Sequence, residues 1–144
     1  MEELSVKFKI PLTQINDIII TALEGGSNYW YLLKEDATEI LDRYKGQYEP
    51  LIHGNRKELF YGYRVEAVLP AIMAGEIIPI HDDEDPDGPV LGSFSLENMK
   101  KGIEIMAEKY PDYLRMVLDE DADYDAGDAD AIVQLLTLGE ITYG

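Results

Sequence analysis

Leu96, Met99, Ile103, Met106 and Tyr110 fall at 3-4-3-4 spacing between Ser95 and Pro111. That spacing places all five on one face of a helix, and such a face must find a core to cover it. Ser95 is an N-cap residue, and Pro111 removes the amide that would continue the helix. Pro111 can instead open the next short helix, over 111–118. A second stripe, Ile15, Ile18, Ile19, Ala22 and Leu23, follows Thr13, a candidate N-cap, and runs to about Glu24. A third helix is expected over 129–138, with Asp128 as N-cap and Gly139 as its stop. Residues 36–46 predict a short helix ending at Gly46, and Pro70 opens a helical turn closed by Gly75.

Strand signals lie mostly in the first half. Leu4, Val6, Phe8 and Ile10 alternate with Ser5, Lys7 and Lys9, the period of a half-buried strand. Residues 27–33 are β-prone, 58–69 read mostly as strand, and 76–80 as a short strand placed at an edge by Pro79. The expectation is a single α+β domain over 1–144. A small sheet mainly from the N-terminal half packs on helices mainly from the C-terminal half.

Charge is split unevenly. The net charge is −17. Residues 1–75 carry 11 acids and 8 bases, and residues 76–144 carry 18 acids and 4 bases. Such a field repels nucleic acid and anionic lipid and attracts basic protein surfaces, so direct nucleic-acid binding and membrane association are not expected. No run approaches the roughly 18 apolar residues of a membrane span. No signal-peptide pattern opens the chain, and there is no cysteine. The expected location is the cytoplasm of a bacterial cell, with no cofactor and no metal.

Two acidic runs stand out. One is Asp82, Asp83, Glu84, Asp85 and Asp87, beside His81. The other is Asp119, Glu120, Asp121, Asp123, Asp125, Asp128 and Asp130. Asp121, Asp123 and Asp125 match the first ligands of a calcium loop, but Ala126 and Ile132 stand where glycine and a bidentate glutamate are needed. The plain reading is a solvated charge run. The alternative is mimicry of nucleic-acid charge, in which Asp82, Asp83, Glu84, Asp85, Asp87, Asp119, Glu120, Asp121, Asp123 and Asp125 meet the cationic groove of a basic nucleic-acid-binding protein.

Residues 43–64 differ, with Arg43, Lys45, Arg56, Lys57 and Arg64 against Glu49 and Glu58. Tyr44, Tyr48, His53, Phe60, Tyr61 and Tyr63 interleave with them. They fit a half-buried sheet surface, a base-stacking site, or contact with a partner or a second copy of the chain. Catalytic patterns are missing: there is no GxSxG, P-loop or HExxH, so a non-enzymatic protein is expected. A ligand module remains as an alternative, with Glu24, Gly26, Tyr29, Trp30, Tyr61 and Tyr63 around a nucleotide-like guest. Gly25 is read as a left-handed helix stop, like Gly75 and Gly139.

Glu24, Gly25, Gly26, Tyr29 and Trp30, with Gly139, Glu140, Tyr143 and Gly144, form E-G-G-x-x-Y-W and G-E-x-x-Y-G motifs. In these the chain resembles a group of small proteins of tailed bacteriophages and mobile elements. The resemblance covers about the first 35 and last 50 residues. It implies a phage or prophage source and no catalytic residue. Small acidic phage proteins often inhibit host defence nucleases of the CRISPR or restriction type, so an inhibitor is the first expectation. A phage structural or assembly protein is a further alternative.

Overall fold

The computed structural model describes residues 2–4, 7, 9–45 and 64–144. Helix α1 (Leu12–Thr21) continues directly into a π-helical turn (Ala22–Gly26). Strand β1 (Tyr31–Leu32) and helix α2 (Glu35–Asp42) follow. A 3-10 turn (Arg64–Ala67) leads into α3 (Val68–Met73), then β2 (Ile78–Asp82) and β3 (Gly92–Phe94). The chain finishes with α4 (Leu96–Lys109), α5 (Pro111–Leu118) and α6 (Ala126–Leu138). The fold is α+β. Its sheet is antiparallel in the order β1-β2-β3, and every strand precedes residue 95.

Helix α6 is the centre of the packing. Residues 129–137 are all buried, the expected state of a helix that is apolar on every side. It packs against α1, the π turn, β3 and α4. Gly102 lets α4 cross α6 closely, because a Cβ there would lie 2.5 Å from the Leu135 carbonyl oxygen. The buried apolar residues of all these elements form one cluster, with Ile15, Ile18, Ile19, Trp30, Ile72, Ile80, Phe94 and Leu136 deep inside it. Gln14 Nε2 donates to the Met116 carbonyl at 2.8 Å and ties α1 to α5.

Local signals for the C-terminal helices hold. Ser95 Oγ accepts from the Asn98 amide at 3.1 Å, Pro111 opens α5, and Gly139 takes φ 80 at the end of α6. Other expectations fail for physical reasons. Thr13 lies inside α1, whose N-cap is Pro11, and its hydroxyl donates to Glu120 at 3.2 Å instead. Asp125, not Asp128, caps α6. Asp128 sits at the third helical position and accepts back from the Asp125 amide, a reciprocal capping box.

Among the described residues of 2–10 none is in a strand, and Leu4 is 89% exposed. An alternating pattern offers an apolar face but needs a neighbouring strand to pair with. Residues 64–69 are helical rather than extended, because Glu66, Ala67, Val68 and Leu69 are buried in succession, which a strand with one covered face cannot do. Pro79 lies in the middle strand of the sheet, not an edge strand. Strand β1 reaches only His81 and Asp82, so the missing amide of Pro79 has no β1 residue opposite it. Residues 46–63, including Tyr48, His53, Phe60, Tyr61 and Tyr63, lie outside the described residues.

Candidate functional site

The two sequence motifs, about 110 residues apart, meet in one cluster. Helix α1 does not end at Gly25. It widens into a π turn, and the Ser27 amide donates back five residues to the Ala22 carbonyl at 2.7 Å. Neither Gly25 nor Gly26 has a positive φ, unlike Gly75 and Gly139, so Gly25 is not a left-handed stop. The two glycines differ in surroundings. A Cβ on Gly25 would meet nothing within 4 Å, while one on Gly26 would lie 2.3 Å from the Ala126 carbonyl oxygen. Gly26 is therefore the glycine the fold requires, because the first turn of α6 lies directly against it.

One turn further along α6, Asp130 is 6% exposed and accepts three hydrogen bonds. Ser27 Oγ donates to Oδ1 at 2.7 Å, Trp30 Nε1 to Oδ1 at 2.8 Å, and Tyr29 Oη to Oδ2 at 2.6 Å. Three donors, and no ion pair among the described residues, offset the desolvation of this carboxylate. The Trp30 ring, 1% exposed, stacks on Tyr143 with centroids 5.0 Å apart and planes 8° from parallel. Gln134, one turn beyond Asp130, holds the tail that carries Tyr143. Its Oε1 accepts from the Thr142 and Tyr143 amides at 2.8 Å each, and its Nε2 donates to the Tyr143 carbonyl at 3.2 Å.

The Tyr29 phenol is pushed up to about 12, first by the partial burial of its hydroxyl end, though the ring is exposed, then by its hydrogen bond to Asp130 and that group's charge. An unfolded tyrosine titrates near 10. Between these values the unfolded chain loses the proton first, so stability falls with rising pH. The expected result is a denaturation midpoint that is flat with respect to Tyr29 below pH about 10 and falls from there to about 12. Phenolate absorbance of the folded protein, followed beside urea unfolding, checks it. A midpoint that rises across this window would be inconsistent with the Asp130 contact.

Of the ligand-module residues, Glu24 and Tyr29 are exposed, Gly26 faces α6, and Trp30 is enclosed between Asp130 and Tyr143. Tyr61 and Tyr63 lie outside the described residues. The Tyr31 phenol, raised by burial and then by the Glu24 charge, donates to the Leu23 carbonyl and fastens β1 to the π turn.

The first acidic run leaves the same cluster. The Asp83 amide donates to the Trp30 carbonyl at 2.9 Å. Burial, then the charges of Asp82 and Glu84, raise the Tyr143 phenol. The run is a folded turn rather than a loose loop. Asp82 Oδ1 accepts from the Glu84 amide at 2.8 Å, the Gly88 amide donates to the Asp85 carbonyl at 3.0 Å, and Lys34 Nζ donates to the Pro86 carbonyl at 2.9 Å. Asp83, Glu84, Asp85 and Asp87 are exposed and Asp82 is half-buried. His81 is buried in β2 opposite Leu32.

The second run is likewise ordered, by a bond from the Asp121 amide to Asp119 Oδ1 at 2.9 Å and by the capping box of α6. Asp119, Glu120, Asp121, Asp123 and Asp125 are exposed. Asp130 belongs to this run in sequence only. Among the described residues no three histidines or carboxylates converge as a metal site requires.

The bases near residue 43 are engaged elsewhere. Arg64 Nε donates to Asp42 Oδ1 at 2.7 Å and its second nitrogen to Oδ2 at 3.1 Å, joining the 3-10 turn to α2. Lys45 also pairs with Asp42, and Arg43 with Glu76. Ser27, Gln134 and the bonding role of Asp130 carry no signal that reading along the chain would find, apart from Asp130 standing in an otherwise apolar helix. Comparison of the chain with family models, with curated proteins and with solved structures returned no match.

Proposed function

We propose that this protein is a non-enzymatic inhibitor of phage type. Its acidic surface takes the place of nucleic acid in the cationic site of a host defence or DNA-processing protein. The supporting observation is the state of the acids in residues 82–87 and 119–125. They are mainly exposed and held by backbone bonds within folded turns, and among the described residues none pairs with a lysine or arginine. Uncompensated carboxylates fixed on a rigid body present a steady negative field, which steers and holds a basic partner. The cytoplasm of the host cell is the setting this reading requires.

The test is charge reversal of Asp83, Glu84, Asp85 and Asp87 to lysine. Those four side chains are exposed, so the fold should survive. Capture of a basic nuclease or polymerase from host lysate should be lost by at least about 100-fold in the variant, since rim charges act together. In the unaltered protein the captured partner should be released by duplex DNA and by raising salt well past about 0.15 M. Capture that survives charge reversal, or that DNA does not compete, removes the inhibitor reading.

A further inference from the structure

A cavity of about 380 Å³ lies where α4 ends and α5 and α6 begin. None of the sites above uses it. Tyr110 and Tyr113 form one wall, their ring centroids 5.8 Å apart and their planes tilted by 33°. Met116 adds an apolar patch, and Asp112 and Asp128 supply carboxylates. Lys109 stands at the rim. Two helix starts open here, which would attract anions, but Asp112 in the first turn of α5 and Asp128 in the first turn of α6 already answer them. Asp128 Oδ2 is used by the Asp125 amide. Two carboxylates against one ammonium leave the lining negative.

We propose that this cavity binds a guanidinium, as the seat for one arginine side chain of a basic protein partner. The aromatic wall and the carboxylates are the two features a guanidinium recognises together, by stacking on the ring faces and by charge-assisted donation to Asp112 and Asp128. Met116 covers the aliphatic stem. The Tyr113 phenol is raised by burial, then by Asp128, Tyr110 and Asp125, which agrees with a negative potential at the wall. The physiological role of the seat rests on the inhibitor reading, for it would give the diffuse acidic surface one directional contact. The pocket chemistry does not depend on that reading.

The experiment is a two-dimensional amide NMR titration of the full chain at low salt with N-acetyl-arginine amide. Neutral N-acetyl-citrulline amide and N-acetyl-lysine amide serve as controls. Shifts should concentrate at Tyr110, Tyr113, Met116 and Asp128, with Kd on the order of millimolar, as one cation–π contact and one ion pair allow. Citrulline should produce none, and lysine should bind more weakly. Tyr113→Leu should weaken arginine binding about tenfold. Because Tyr113 also packs on the core, the exposed Asp112→Asn is the second variant, expected to weaken it about threefold. Lys109→Ala removes a competing charge and should tighten binding about twofold.

Equal binding of citrulline or lysine overturns the guanidinium assignment. So do shifts confined to residues 82–87 or 119–125, or weaker binding in Lys109→Ala, which would mean that the guanidinium does not occupy the space beside that ammonium. If arginine binds as described while the charge-reversed protein still captures its partner, the inhibitor reading falls and the pocket stands. If capture is lost on charge reversal but arginine produces no shifts, the pocket falls and the inhibitor reading stands.

Discussion

Gly26→Ala should destabilise the protein by about 3 kcal/mol, whereas Gly25→Ala should leave it unchanged or stabilise it by about 0.5–1 kcal/mol. The two residues are neighbours of one type in one π turn. Only what lies across from them differs. The added methyl at Gly26 would sit 2.3 Å from the Ala126 carbonyl oxygen, about 1 Å inside ordinary contact, and the neighbour is helix backbone that cannot rotate away. The turn and the start of α6 must separate, which loosens the contacts that seat Asp130. At Gly25 the methyl enters open space with φ already negative, so the main effect is lower entropy of the unfolded chain. Urea unfolding of both variants decides the matter. Equal destabilisation by the two alanines would mean that the turn itself, not its contact with α6, needs glycine.

The second large effect is expected at Asp130. Asp130→Ala removes the acceptor for three donors at once. Ser27 and Trp30 are buried and would be left unpaired, at about 1–3 kcal/mol each, whereas Tyr29 can turn to water. The sum, about 2–6 kcal/mol, is a large part of the 5–15 kcal/mol that holds a domain of ordinary stability. Asp130→Asn keeps the shape and one acceptor oxygen, so it should cost less, about 1–2 kcal/mol. It should also lower the Tyr29 titration toward the ordinary tyrosine value, though only in part, because burial is the larger cause of its shift. Thermal unfolding with Trp30 fluorescence reports both variants, since the only tryptophan lies within the cluster. An alanine variant as stable as the original would mean that water replaces the carboxylate without loss.

Residues 24–30 and 126–144 are bound to each other by side-chain bonds and a ring stack. Their pairing alone accounts for Gly26, Trp30, Asp130, Gln134 and Tyr143 as parts of one joint. The acidic turn over 82–88 is fastened to that joint through Trp30. On the proposed inhibitor reading, loosening the joint should blunt partner binding indirectly, by freeing the acids it holds in place. Charge reversal acts on the field and leaves the joint intact.

What could be read along the chain was local. Ser95, Pro111 and Gly139 mark helix ends because capping and proline geometry involve only residues within one turn. The stripes of α1 and α4 follow from the helical period, and the separation of charge toward residues 76–144 is visible by counting. None of the described residues of the strand expected at 4–10 is in a strand, and 64–69, the described part of the strand read over 58–69, is helical, because both readings depend on what lies alongside. A period of two needs a neighbour to pair with, and propensity yields where four successive residues must be buried. Asp125 took the capping position from Asp128 because either could do so locally, and the reciprocal bond favoured the earlier one.

The sequence by itself determined the helix ends marked by Ser95, Pro111 and Gly139, the α+β class and the sign and location of the charge. Only the tertiary structure decided that the two glycine motifs meet, that Gly26 rather than Gly25 is constrained, and that Asp130 is a buried acceptor apart from the acidic run around it. The physical reason is separation along the chain. The bonds from Ser27, Tyr29 and Trp30 to Asp130 span 100–103 residues, and a hydrogen bond leaves no periodic trace in the sequence at either end.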